Sequence, residues 1–140
     1  MTTDRIVVIG AGPVGLAAAA HLIERGLTPV VLERGAGVAD HFRQYAHVRL
    51  FSPWRYNLDQ AGIRLLLKNG HWTPPDLEAL PMAGEMLEQY LELFAALPEV
   101  APILRLNARV TAISREGFDK VKTKGRENSP FVVRYHWCPN

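Results

Sequence analysis

One stretch near the N-terminus constrains this chain more than any other. Gly10-Ala11-Gly12-Pro13-Val14-Gly15 separates a β-branched run, Arg5-Ile6-Val7-Val8-Ile9, from an Ala- and Leu-rich segment, Pro13–Arg25, that Gly26 brings to an end. A β-branched run without alternation suits a parallel strand buried on both faces, whereas alanine and leucine favour helix. Thr28–Leu32 reads as a second short apolar strand, with Pro29 tolerable near its start. Strand, glycine turn, helix and strand make a βαβ unit over residues 5–34, and with it an α/β fold built on a parallel sheet.

A G-x-G-x-x-G alone is a weak signal. Here a strand precedes it, a helix follows, and an acid, Glu33, ends the next strand, which is the context of a dinucleotide site. Gly10 permits the tight turn, Gly12 lets the backbone approach a pyrophosphate, and Gly15 lets the helix pack on the strand. Pro13 and Val14 open the helix, whose free N–H groups and dipole favour negative charge. Glu33 is placed to accept hydrogen bonds from ribose hydroxyls and disfavours a 2′-phosphate. Arg34 admits two readings, a contact to such a phosphate or a solvated strand-end arginine, and the anion of Glu33 weighs towards the second. The plainer alternative is a βαβ turn whose glycines only allow close packing, which requires three glycines and a correctly placed acid to coincide without a ligand.

Composition narrows the function classes. The formal charge of +2 over 140 residues is too small to point to nucleic acid or an anionic membrane. Arg5 and the apolar stretch Ile6–Ile23 imitate a secretory signal, but the stretch is short for a membrane span and punctuated by glycine and Pro13. The single cysteine, Cys138, permits no intramolecular disulfide and fits a reducing, cytoplasmic setting.

Beyond the βαβ unit, residues 35–75 read as irregular and aromatic, a functional loop region rather than a linker. Gly84–Leu97 reads as an amphipathic helix with Leu87, Tyr90, Leu91 and Phe94 on one face. Ile103–Leu106, Arg109–Ser114 and Phe131–Tyr135 read as strands. His41 and His47 lack metal-ligand spacing, and His21 and His71 read as surface or satisfied polar residues. The basic run Asp119–Arg126 has no interleaved aromatic for stacking on bases and reads as a solvated hairpin edge.

Gly10, Gly12, Gly15, Ala19, Gly26 and Glu33 fall in step with the pattern G-x-G-x-x-G-x3-A-x6-G-x6-E. In this the chain resembles the N-terminal FAD domains of two-dinucleotide flavoproteins, the flavin-containing monooxygenases and pyridine nucleotide–disulfide oxidoreductases. His47–Trp54, Gly84–Leu97 and Leu106–Thr111 resemble the monooxygenase-like branch, and no dithiol follows the second strand to serve disulfide chemistry. The resemblance implies a Rossmann-like FAD/NAD(P)-binding domain, incomplete at the C-terminus, with FAD as cofactor and NAD(P)H expected only in a full-length form. It makes Val110 the position where a strand passes the adenine, although a buried strand valine explains that residue equally well. Arg49, Phe51 and Trp54 fall in a flavin-side segment, where core packing is the simpler account of the aromatics. The implied function is that of a FAD-dependent oxidoreductase whose ADP-binding half this chain supplies. The alternative is a non-catalytic nucleotide-binding module or inactive truncated product. No side chain stands out as acid, base or nucleophile, and nothing in these residues names the small-molecule substrate. In the implied fold the first strand lacks one neighbour, so self-association through its apolar edge is expected.

Overall fold

The computed structural model describes residues 6–70 and 72–139, so Arg5 and His71 lie outside the described residues. Strands β1 (Val7–Ile9), β2 (Val30–Leu32) and β3 (Leu104–Arg105) form a parallel sheet in the order β1-β2-β3. Val7 lies opposite Val30, Ile9 opposite Leu32, and Val31 opposite Leu104. Helix α1 (Pro13–Glu24) connects β1 to β2. It opens on a proline, whose fixed φ suits a first turn, and it is followed by Gly26 at φ +72°, whose N–H bonds the Ile23 carbonyl. The expected βαβ unit is therefore present with shorter strands. β2 begins at Val30 because the buried Pro29 has no N–H to give the ladder.

Among the described residues only β2 pairs with β1, which leaves it the edge strand that a missing neighbour implies, but its burial corrects one expectation. Val8 packs on the core, while Val7 and Ile9 are 36% and 48% exposed. The apolar run is buried on one face, not two.

Residues 35–75 are more regular than their composition suggested. They hold a 3₁₀ turn (Asp40–Tyr45) and two helices, α2 (Trp54–Asn57) and α3 (Gln60–Lys68). The Asp59 carboxylate caps α3 by accepting the Gly62 N–H at 2.9 Å. Ala61, Leu65 and Leu66 of α3 are buried in one core with Leu16, Ala19 and Ala20 of α1. Phe42, Trp54 and Trp72 enter that core, whereas Phe51 and Tyr56 are exposed. Packing therefore explains Trp54 but not Phe51.

Helix α4 (Ala83–Met86), a π-helical turn (Leu87–Leu91) and helix α5 (Glu92–Ala95) run end to end, in place of the single helix expected over Gly84–Leu97. Leu87, Tyr90, Leu91 and Phe94 are all buried, as their spacing requires. The Tyr90 hydroxyl accepts the Asp59 N–H at 3.2 Å and occupies the space a Cβ on Gly62 would need. Burial pushes the Tyr90 hydroxyl up to about 12.

A 3₁₀ turn (Ala101–Ile103) takes the first residue of the expected third strand. After β3, Asn107 at φ +55° turns the chain into β4 (Ala108–Arg115), which pairs antiparallel with β5 (Phe131–Trp137). β5 runs past Tyr135 to Trp137, which lies opposite Ala108. The Asp119 carboxylate accepts the Val121 and Lys122 N–H groups, each at 2.9 Å, and these bonds hold its carboxyl below the ordinary aspartate range. Among the described residues, no helix is long and apolar enough to cross a membrane.

Candidate functional site

The loop from β1 to α1 is fixed at every residue. Gly10 adopts φ +95°, which disfavours any side chain, and donates its N–H to the Leu32 carbonyl at 2.8 Å. Ala11, fully buried, donates its N–H to Glu33 Oε2 at 2.7 Å, and its carbonyl accepts the Ala39 N–H at 2.9 Å. Gly12 is the N-cap residue of α1, at φ −79°, and no side chain caps the helix. The first turn of α1 also carries no acidic residue of its own, so no side chain of the helix neutralises its N-terminal dipole.

The three glycines of the motif have three different reasons to be glycine. Gly10 needs its positive φ. At Gly15 a Cβ would overlap the Gly10 carbonyl oxygen and lie 3.0 Å from its carbon, so helix and strand meet only because that Cβ is missing. Neither reason applies to Gly12. Its φ suits any residue, and the nearest atom to a Cβ there would be His41 Cε1, at an ordinary 3.8 Å. Nothing inside the protein requires Gly12 to lack a side chain, and the surface it leaves bare faces a cleft.

That cleft, of about 310 Å³, brings together Gly10, Gly12, Glu33, Arg34 and Val110. These residues come from the glycine loop, the end of β2 and β4. Ile9 and Leu32 line it from the ends of their strands, and Ala108, Arg109 and His41 complete it. Pro13 and Val14 lie outside it. They line a neighbouring cleft of about 370 Å³ with Phe42, Leu50 and Tyr56, so the start of α1 divides the two. Gly15 lines neither and is spent on packing. Arg49 lines neither cleft and donates to the Leu80 carbonyl at 2.8 Å.

Glu33 has more to do than the motif alone suggests. It is only 9% exposed, and both its carboxylate oxygens accept backbone N–H groups at 2.7 Å, Oε2 from Ala11 and Oε1 from Gly35. Its own N–H bonds the Arg105 carbonyl, and its carbonyl accepts the Ala108 N–H at 2.8 Å. A buried carboxylate is tolerable here because two backbone donors solvate it. Since each carboxylate oxygen has two acceptor directions, the group retains capacity to accept from a ligand hydroxyl. Arg34 is exposed at the cleft mouth, as is Arg109 across it on β4. Sequence reasoning left out His41 and Arg109. Neither carries a local signal, because each reaches the cleft through tertiary structure.

The pyridine nucleotide-disulphide oxidoreductase family model matches residues 7–132. Indole-3-pyruvate monooxygenase YUCCA8 of Oryza sativa subsp. indica is 36% identical over 105 residues, covering 73% of this chain and 22% of the relative. Probable indole-3-pyruvate monooxygenase YUCCA1 of Arabidopsis thaliana is 32% identical over 130 residues, covering 92% of this chain and 29% of the relative. This chain thus spans under a third of the length of these relatives. Among solved structures, OTEMO in complex with FAD and NADP superposes with a TM-score of 0.64 at 25% identity, over 95% of this chain and 22% of that one. An oxidized steroid monooxygenase bound to NADP gives 0.62 at 24% identity, over 81% of this chain and 21% of that one. The match to the family model spans nearly all of the described residues, and the chain belongs to the pyridine nucleotide-disulphide oxidoreductase family.

Proposed function

We propose that the cleft at Gly12 holds the ADP moiety of FAD, and that the chain supplies this half of the cofactor site in an FAD-dependent, monooxygenase-like oxidoreductase. The observation that carries the reading is Gly12 itself, which neither a close contact nor a positive φ requires to be glycine, bare towards a cleft beside a helix start without a side-chain cap. That is the surface a diphosphate needs, because backbone N–H groups reach it only where no Cβ stands between. Gly10, Gly12, Pro13, Val14 and Gly15 would form or position the diphosphate loop, Glu33 would take ribose hydroxyls, and Val110 would lie along the adenine. Arg34 is read as the strand-end arginine of the cleft mouth.

When bound, the flavin supplies the redox chemistry. This chain's residues would bind and orient it: Glu33 holds the Ala11 and Gly35 amides in place, and the start of α1 would offer its dipole to the diphosphate. The curated relatives named above are monooxygenases, which favours that reaction class. A free cysteine also fits a reducing compartment such as the cytoplasm. NAD(P)H would be the co-substrate of such an oxidoreductase. The unpaired side of β1 is the surface through which the 140-residue chain would associate with itself.

Titration calorimetry with ADP and with 2′-phospho-ADP tests the reading, alongside the visible absorbance of the purified chain. Binding of ADP in preference to its 2′-phosphate is expected, because the buried anion of Glu33 faces the ribose side. Equal affinities would remove the argument from Glu33, and a chain that binds neither compound would refute the site.

A further inference from the structure

The net charge of +2 conceals an uneven distribution. Residues 109–137 carry seven lysines and arginines against three acids, a net of +4, while the rest of the chain carries nine against eleven, a net of −2. Most of the excess lies at the far end of the β4–β5 hairpin, where Arg115, Lys120, Lys122, Lys124 and Arg126 stand with only two acids, Glu116 and Asp119. Asp119 does not neutralise the lysines. Its carboxylate is turned to the Val121 and Lys122 N–H groups, and among the described residues no ion pair engages Lys120, Lys122 or Lys124. The same end also projects large apolar side chains. Val121, between two lysines, is 85% exposed, and Phe131 and Ile113 are 65% and 56% exposed. Arg115 and Phe131 face each other in the last pair of the ladder, with the guanidinium 3.6 Å from the ring centroid. No residue from Arg109 to Pro139 is buried, so these side chains belong to no core.

We propose that the far end of this hairpin is a docking surface for an anionic lipid bilayer, with Val121, Phe131 and Ile113 entering the headgroup layer and the lysines and Arg115 meeting its anionic groups. A local cluster of about four to eight lysines and arginines is the electrostatic footprint of such a surface, and its attraction fades within a Debye length. Long cationic side chains lay their stems along apolar surface and keep their charge at the interface. Among the described residues no helix is long and apolar enough to cross a membrane, so the contact is peripheral. Two other partners fit less well. Single-stranded nucleic acid stacks its bases on open aromatic faces, but Phe131 has a guanidinium over its ring, and Val121 and Ile113 cannot stack. A protein partner would need a pocket for each of three separate projecting side chains, whereas a fluid interface admits them all. The nucleotide cleft takes only Ala108, Arg109 and Val110 from the hairpin. Arg115 lies roughly 17 Å further along β4 at the rise of an antiparallel strand, so the two sites can be filled together.

The experiment is flotation of the 140-residue chain with lipid vesicles, which separates bound protein from self-associated protein because only the former rises. Vesicles of phosphatidylcholine alone are compared with vesicles of phosphatidylcholine mixed with phosphatidylserine. The parent is expected to float with the mixed vesicles at low salt and to be released near 1 M salt, where the screening length falls to about 3 Å. Reversing three charges together, Lys120→Glu, Lys122→Glu and Lys124→Glu, should weaken partitioning by roughly a hundredfold or more, since each lysine near the surface is worth about fivefold. The pair Val121→Ser and Phe131→Ser should weaken it roughly tenfold and leave its salt dependence in place. All five positions are exposed, so both variants should unfold at the parent's temperature. The proposal is overturned if neutral vesicles float the parent equally well, if neither kind floats it, or if either variant floats as the parent does. Tighter binding of the parent to polyuridylate than to the mixed vesicles, at the same salt, would overturn it in favour of nucleic acid.

Discussion

Gly12 and Gly15 stand in one motif, yet replacing each by alanine should have opposite consequences. A Cβ on Gly15 overlaps the Gly10 carbonyl oxygen, lies 3.0 Å from its carbon and reaches Val8 Cγ1 at 3.5 Å. The first two are backbone atoms that cannot rotate away, so α1 must lift off β1. Overpacking of this kind costs about 1–3 kcal/mol, against a total stability of about 5–15 kcal/mol. At roughly 3–4 °C per kcal/mol for a chain of this size, Tm should fall by about 3–12 °C. Gly12→Ala meets only His41 Cε1 at 3.8 Å, on a φ of −79° that alanine adopts freely. Alanine is a poorer N-cap than glycine, but it also restricts the unfolded chain by about 0.4–1 kcal/mol, so the two effects largely cancel. Its Tm should stay within about 2 °C of the parent. Binding should reverse the order. The new methyl stands between backbone and diphosphate, and losing one charge-assisted hydrogen bond costs about 1.5–3 kcal/mol, a tenfold to hundredfold loss of affinity for ADP. Differential scanning calorimetry and ADP titration of both variants decide the matter. If Gly12→Ala melts as early as Gly15→Ala, or binds ADP as the parent does, the division of labour among the glycines is wrong.

Three further predictions concern the surroundings of the site. Glu33→Ala leaves the Ala11 and Gly35 amides without their acceptor, so it should lower Tm with no ligand present as well as weaken ADP by about 1.5–3 kcal/mol. An unchanged Tm in thermal melts would return Glu33 to a ligand-only role. Val7→Lys places a charge on the open side of β1, where Val7 is 36% exposed, and should shift the purified chain from associated to monodisperse in light scattering. A parent that is already monomeric would show that the edge is not sticky. The Tyr90 hydroxyl, raised by burial to about 12 from an ordinary 10.0, ionises in the unfolded chain before it does in the folded one. Its contribution to stability is therefore complete below pH 10 and is lost as pH climbs to about 12. Alkaline melts of Tyr90→Phe should be flatter over that window than the parent's, and identical slopes would assign the loss to other groups.

The parts of the fold that were legible in the sequence are those whose signals are local. The β1–α1–β2 unit announces itself through β-branched residues, a proline at the helix start and glycines at its two ends, and the stripe Leu87, Tyr90, Leu91, Phe94 places the later helical run. Helix α3 was missed although Asp59 caps it and Ala61 and Leu65 are spaced on one face, because the surrounding aromatics suggested a loop. The exposure of Val7 and Ile9 was invisible as a pattern, since a run of β-branched residues looks the same whether one face of the strand is covered or both. Of the cleft, the sequence yielded the loop, Glu33, Arg34 and Val110. It did not yield His41 or Arg109, which reach the cleft only through the turn after β2 and the reversal after β3.

How those distant residues come to one place follows from the backbone bonds around Glu33. Asn107 takes a positive φ of 55°, a conformation asparagine tolerates better than most residues, and its N–H bonds the Gly35 carbonyl at 3.0 Å. One residue later the Ala108 N–H bonds the Glu33 carbonyl, so β4 leaves the parallel sheet directly above the end of β2 and carries Arg109 and Val110 over the cleft. The Glu33 carboxylate meanwhile holds Ala11, and Ala11 holds the turn that bears His41. Main chain and side chain of one residue thus anchor the glycine loop, the histidine turn and the strand that closes the cleft. A ligand that hydrogen-bonds Glu33 therefore acts on all three at once. Ordering of the cleft by a nucleotide should accordingly be cooperative, with amides of Ala11, Ala39 and Ala108 gaining hydrogen-exchange protection together on adding ADP, and protection confined to Ala11 would show that the three segments are held independently.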